Sequence, residues 1–156
     1  MSFLAALHPE IVHFPIALFV VYVLFEALGT VTKKDVYSKA AQIILVLGVL
    51  GAFFAVLTGN QAFTAYQNWD ETTKALFNEH RTFANITVWY FTILLVFRTY
   101  MIIKKKFSPV YKYLILLCAV IGIIFVYETA EYGGQLVYKY GIGIEKTINN
   151  NTNVKP

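Results

Sequence analysis

The chain is poor in the groups that usually carry chemistry: one cysteine, three histidines, four prolines and only 14% charged residues. A single cysteine excludes an intrachain disulfide and any zinc motif built from spaced cysteine pairs. Cys118 itself lies in an apolar run and reads as a small packing residue. Soluble domains carry about 25% charged residues; with 58% hydrophobic and 17% aromatic content, a soluble domain of 156 residues could not bury this much apolar surface. No HxxxH spacing is present. No Lys or Arg precedes the first apolar run and no small-residue cleavage site follows it, so no cleavable leader is expected. The net charge of +4 does not signal a nucleic-acid partner, because the basic residues gather beside the apolar runs.

What is present is four apolar windows, each approaching the roughly 20 residues that cross a bilayer. They predict an all-α protein: a four-helix transmembrane bundle in one domain over 1–144, with a polar, disordered tail over 145–156. Helix 1 is expected to start near His8, with Pro9 in its first turn, and to reach about Thr30. Pro15 removes the bond to the carbonyl of Ile11, so the turn carrying His13 should be kinked or loosened. Helix 2 should run from about Ser38 to Thr58, with Gly48, Gly51, Ala52 and Ala55 permitting close helix approach. Asp70 is a plausible N-cap for a helical lead-in to helix 3, which opens its apolar part at His80. Ser108 and Pro109 should start helix 4, and Gly133 and Gly134 should end it near Tyr132. A short extended segment, GGQLVYKYGIGI, is expected to follow.

Charge gives the orientation. Lys33, Lys34, Lys39, Arg98, Lys104, Lys105, Lys106 and Lys112 flank the first and third loops, whereas the second loop has Lys74 and Arg81 against Asp70, Glu71 and Glu79. The positive-inside bias puts the basic loops in the cytoplasm and both termini outside the inner membrane. At about 1.5 Å per residue, His13 and His80 then lie at similar depth near the outer face, with Glu128 at a similar height and Glu131 a turn above it.

Two imidazoles on facing helices are a common way to hold a haem in a membrane bundle. The reading that follows is a haem b between His13 and His80, with small neighbours Ala17 and Ala84 at i+4 and Arg81 placed to pair with a propionate. Phe14, Phe83, Trp89, Tyr90 and Phe125 could wall a flat ring. The function expected is one-electron transfer, in an electron-transfer subunit more than a stand-alone enzyme. A second reading gives His8, His13 and His80 with Glu128 or Glu131 to Zn or Cu, although the five-residue step from His8 to His13 points those rings apart. His8 fits a capping role better than a ligand role. A third reading is a structural accessory subunit of a larger membrane complex. Glu26, deep in helix 1, is expected to pair with Arg98 or Lys33.

The opening HPEIVHFPIAL resembles that of a family of small bacterial integral membrane proteins, domain of unknown function 2231, written HPxxVHFPIAL. The likeness continues through Thr58 and Gly59, through His80, and through GGQLVYKYGIGI, which is similar to the family's GGxLVYxxGxGV; Ile144 stands where the pattern often has Val. The resemblance implies a four-helix membrane domain in the bilayer and, since some relatives are joined to c-type cytochrome domains, a redox partner. His8, His13 and His80 carry over as motif positions without an assigned role.

Overall fold

In hydrocarbon the backbone must satisfy its own hydrogen bonds, so each apolar run folds as helix along its whole length. The computed structural model describes residues 3–143. It contains α1 (Phe3–Ile11), α2 (His13–Thr32), α3 (Asp35–Ala65), α4 (Glu71–Ile103) and α5 (Pro109–Tyr138). α1 and α2 together make one span, so the helices supply four candidate membrane spans. Their outer faces stay apolar and exposed, as at Ile93, Val96 and Val110, which is the surface a helix presents to lipid.

Local chemistry accounts for the boundaries. Asp70 accepts from the Thr73 amide at 2.7 Å while the Thr73 hydroxyl meets the Asp70 amide, a capping box that starts α4 nine residues before His80. Pro15 cannot donate to Ile11, and the turn is loosened there, with the Ile16 amide reaching the Val12 carbonyl at a stretched 3.4 Å, while Val12 keeps helical dihedrals and its amide bonds to the His8 carbonyl at 3.1 Å. Two expectations are corrected. Helix begins at Phe3, not His8, because the apolar lead-in docks on α3. Gly133 and Gly134 do not end the last helix, which runs on to Tyr138, and no strand forms among the described residues. Glycine is tolerated there because lipid offers the backbone no competing partner, and Gly133 lies against the His80 ring. Ile144 and the tail lie outside the described residues.

The helices form a square. α2 and α4 each pack on α3 and α5 but bring no Cα pair within 8 Å of one another, so they face each other across the diagonal. Side chains of α1 and α2 meet those of α4 in a central column: His8 with His80, then Phe19 stacked on Phe91 at 3.9 Å, then Glu26 with Arg98. Each pair is separated by 72 residues. The 18 residues from His8 to Glu26 make about five helical turns, which keeps all three on one stripe.

The other diagonal repeats this correspondence. Gly48 lies against Phe19 and Gly122 against Phe91, while Gly59 lies against His8 and Gly133 against His80. Lys33 and Lys105, also one repeat apart, both take left-handed backbone conformations, with φ of 58° and 53°, after the first helix of each hairpin. The chain is thus two parallel helical hairpins related by a pseudo-two-fold axis along the bundle, a known mode of membrane-protein repeat.

Candidate functional site

The end of the column nearest the α3–α4 connection holds the two histidines. Their ring centroids are 6.4 Å apart and their planes cross at 78°. The backbones of α1 and α4 bring no Cα pair within 8 Å, so the imidazoles themselves span the gap. Each ring has room because a glycine faces it: a Cβ on Gly59 would lie 2.9 Å from His8 Cε1, and one on Gly133 would lie 3.0 Å from His80 Cε1.

Hydrogen bonding fixes the tautomer of His80. His80 Nδ1 lies 2.9 Å from the Thr129 carbonyl oxygen, which can only accept, so Nδ1 carries the proton and Nε2 a lone pair. His8 Nδ1 lies 3.0 Å from Thr58 Oγ1, a hydroxyl whose one proton can go to the Phe54 carbonyl at 3.1 Å, to the Ala55 carbonyl at 3.0 Å or to the ring nitrogen. When the hydroxyl proton goes to a carbonyl, His8 donates from Nδ1 and keeps its lone pair at Nε2. A ring nitrogen donating to an oxygen while the other nitrogen stays free is how proteins prepare histidine as a metal ligand.

The surroundings are aromatic on one side. Phe77 is buried and lies 6.4 Å from the His80 ring, with Phe63 stacked on it at 4.3 Å and Trp69 beside both. The Trp69 indole N–H donates to the Phe63 carbonyl at 3.2 Å, tying the α3–α4 connection down as a cover. Thr87 and Thr129 join hydroxyls at 3.1 Å just below His80.

The residues expected from the sequence divide. The structure brings His8, not His13, to His80. His13 is exposed at the start of α2, because a five-residue step turns about 140° around a helix. Arg81, Ala17 and Glu131 are exposed, Ala84 and Glu128 are half-buried, and Glu131 accepts from Gln135 at 3.0 Å. No group of three or more metal-ligating side chains forms among the described residues, so the set of three histidines and a carboxylate is not assembled.

The opposite end of the column is a second polar cluster. Arg98, with no exposed surface, meets Glu26 at 2.8 Å and also donates to Gln42, to the Ser38 carbonyl at 2.9 Å and to Ser38 Oγ at 3.2 Å. Its guanidinium lies 5.1 Å from the Phe107 ring centre. Of the two partners foreseen for Glu26, Arg98 is the one engaged.

Compared with known families, residues 4–146 match the model of DUF2231, described as a predicted membrane protein. The chain belongs to this family. No curated protein and no solved structure matches it. In this DUF2231 chain the opening HPEIVHFPIAL supplies both His8, which meets His80 across the bundle, and His13, which does not. Gly59 and Gly133 are the two glycines that seat the imidazoles. Gly59, Gly133, Thr58 and Thr129 were not foreseen as site residues. The signal was present as the internal repeat: His8 corresponds to His80, whereas His13 corresponds to Asn85.

Proposed function

We propose that this protein is a b-type cytochrome-like electron-transfer protein whose haem iron is held between His8 and His80. The observation that carries the reading is a pair of imidazoles whose ring centres lie at the spacing of two ligands to one ion. An imidazole nitrogen binds a metal at about 2.0–2.1 Å and the ring centre lies about 1.1 Å behind it, so two imidazoles on opposite sides of one ion have centres about 6.2–6.4 Å apart. Those of His8 and His80 are 6.4 Å apart. The absence of a third protein ligand among the described residues favours haem over bare Zn or Cu, since a porphyrin supplies four nitrogens and asks the protein for two.

Bound haem would supply reversible one-electron chemistry. The protein's own contribution is positional. The Thr129 carbonyl holds the His80 Nδ1 proton, Thr58 pairs with His8 Nδ1, and both orient the rings, while Phe63, Trp69 and Phe77 would cover one side of His80. The Glu26–Arg98 pair clamps the far end of the same diagonal. The basic loops lie at that far end, so the positive-inside bias puts the histidine pair at the extracytoplasmic face of the inner membrane, with both termini on that side. Electrons would pass between a donor in the membrane and an acceptor outside, such as a c-type cytochrome. Arg81, exposed one residue beyond His80, is the side chain available to a propionate.

The test is the optical spectrum of detergent-purified protein from haem-replete cells, oxidised and then reduced with dithionite. A Soret band with sharp α and β bands on reduction is expected. A featureless visible spectrum would remove the haem reading.

A further inference from the structure

The end of the column opposite the histidines is built mainly by one half of the repeat. α4 brings Arg98, and the first half surrounds it with Tyr22 and Glu26 from α2 and with Ser38 and Gln42 from α3. In the second half the equivalents of Tyr22 and Thr30 are Leu94 and Ile102, and with Gly48 set against Gly122 the equivalent of Gln42 is Leu116. The polarity therefore belongs to this wedge and is not a general feature of the repeat.

Two hydroxyls of the wedge have no hydrogen-bond partner among the described residues: Tyr22 Oη, in a residue 0% exposed, and Thr30 Oγ1, in one 5% exposed. Thr32, Thr58, Thr87, Thr92 and Thr129 all donate to the carbonyl four residues back, at 2.6–3.1 Å, the bond a helix offers any threonine. Thr30 forgoes it, although Glu26 stands four residues back. The Tyr22 hydroxyl is within electrostatic reach of Arg98 and Glu26, but a guanidinium only donates and cannot take its proton. Glu26 has capacity to spare. Arg98 reaches its Oε2 with both Nε, at 3.0 Å, and Nη2, at 2.8 Å, whereas a carboxylate offers about four acceptor sites. Inside a bundle surrounded by hydrocarbon, a hydroxyl left without a partner is strongly unfavourable.

We propose that this wedge is a water-binding inlet: one water takes the Tyr22 proton and donates to the Glu26 carboxylate, and a second joins Thr30 Oγ1 to the loop of Lys33 and Lys34. Water fits the chemistry because it accepts from a hydroxyl, donates to a carboxylate and adds no charge beside the ion pair. Tyr22, Glu26 and Thr30 follow at four-residue steps, so they line one stripe of α2 over about 12 Å, and Thr30 stands close to Lys33, which caps the helix. The buried Phe19–Phe91 stack, at 3.9 Å, closes the inlet on the side of the histidines. The inference is independent of what the histidines hold.

Radiolytic labelling of the full-length protein in detergent tests it, because an X-ray pulse turns a bound water into a hydroxyl radical that marks the ring it touches. Tyr22 and Phe91 are equally buried, both at 0% exposure, yet Tyr22 should be marked several-fold faster. When heavy-oxygen water is mixed in before the pulse, the oxygen added to Tyr22 should be the heavy isotope. Tyr22→Phe and Thr30→Val each delete a hydroxyl that holds water, and each should lower Tm by about 1–6 °C by circular dichroism. A hydroxyl buried with no partner gives the opposite sign, since deleting it removes a desolvation cost. Marking of Tyr22 no faster than Phe91, or an unchanged or raised Tm in Tyr22→Phe, would overturn the water at Glu26. An unchanged or raised Tm in Thr30→Val would overturn the second water, and product carrying only the original oxygen would overturn the connection to the loop.

Discussion

Removing Glu26 is the sharpest test of the column's far end. Arg98 is fully buried, and its guanidinium hydrogens go to Glu26, Gln42 and Ser38. At the observed 2.8 Å, the ion pair is worth about 6 kcal/mol of Coulomb energy at an effective dielectric of about 20, before desolvation is subtracted. Glu26→Ala leaves Nε without an acceptor and the cation without a counter-charge. Breaking a buried pair in this way costs about 3–5 kcal/mol. For a chain of this size, about 2–4 °C per kcal/mol converts that into a fall in Tm of about 6–20 °C, read by circular dichroism in detergent. Replacing both partners, Glu26→Met with Arg98→Met, removes the stranded charge and should recover most of the loss. A single variant that melts within about 1 °C of the parent, or a double variant worse than the single, would refute the reasoning.

Other outcomes follow from the same geometry. Thr58→Val deletes the hydrogen-bond partner of His8 Nδ1 and should weaken haem binding about 10–100-fold in a titration of the apoprotein, with the fold retained. Gly122→Ala sets a Cβ 2.6 Å from Phe91 Cζ, at the centre of the stacked pair, and should destabilise by about 1–3 kcal/mol. Gly134→Ala meets nothing closer than 3.9 Å and should instead stabilise by about 0.5–1 kcal/mol; thermal melts of the two variants separate packing from helix propensity. The Thr73 amide and hydroxyl hold the Asp70 carboxyl below the usual carboxylate range. Its cap is therefore fully present above that range and is lost as pH falls through the lowered value. Intrinsic-rate-corrected exchange at the Thr73 amide should rise there, and Asp70→Ala should show the raised exchange already at neutral pH.

The parts of this fold legible in the sequence are those set by short-range physics. Apolar length marks the four spans, the Asp70 carboxylate marks the start of α4, and the missing amide of Pro15 marks the loosened turn. The Glu26–Arg98 pair was readable because a carboxylate and a guanidinium within spans seek each other. The choice of histidine was not readable from local spacing. Ala17 and Ala84 gave His13 the same small-neighbour pattern as His80, but the neighbours that seat the rings, Gly59 and Gly133, come from other helices. Gly133 and Gly134 misled as a helix stop because glycine's punctuating role weakens where no water competes for the backbone. The 72-residue correspondence between Glu26 and Arg98 extends to His8 and His80 and carries the long-range information that local patterns lack.

The most direct test of the account is the low-temperature electron paramagnetic resonance spectrum of the oxidised protein. Two imidazoles whose planes cross at 78° predict a low-spin ferric signal of high axial anisotropy, with one large g value dominating. His13→Ala should leave that signal unchanged. A rhombic low-spin signal typical of parallel ligand planes, loss of the signal in His13→Ala, or iron-free protein would contradict a haem held between His8 and His80.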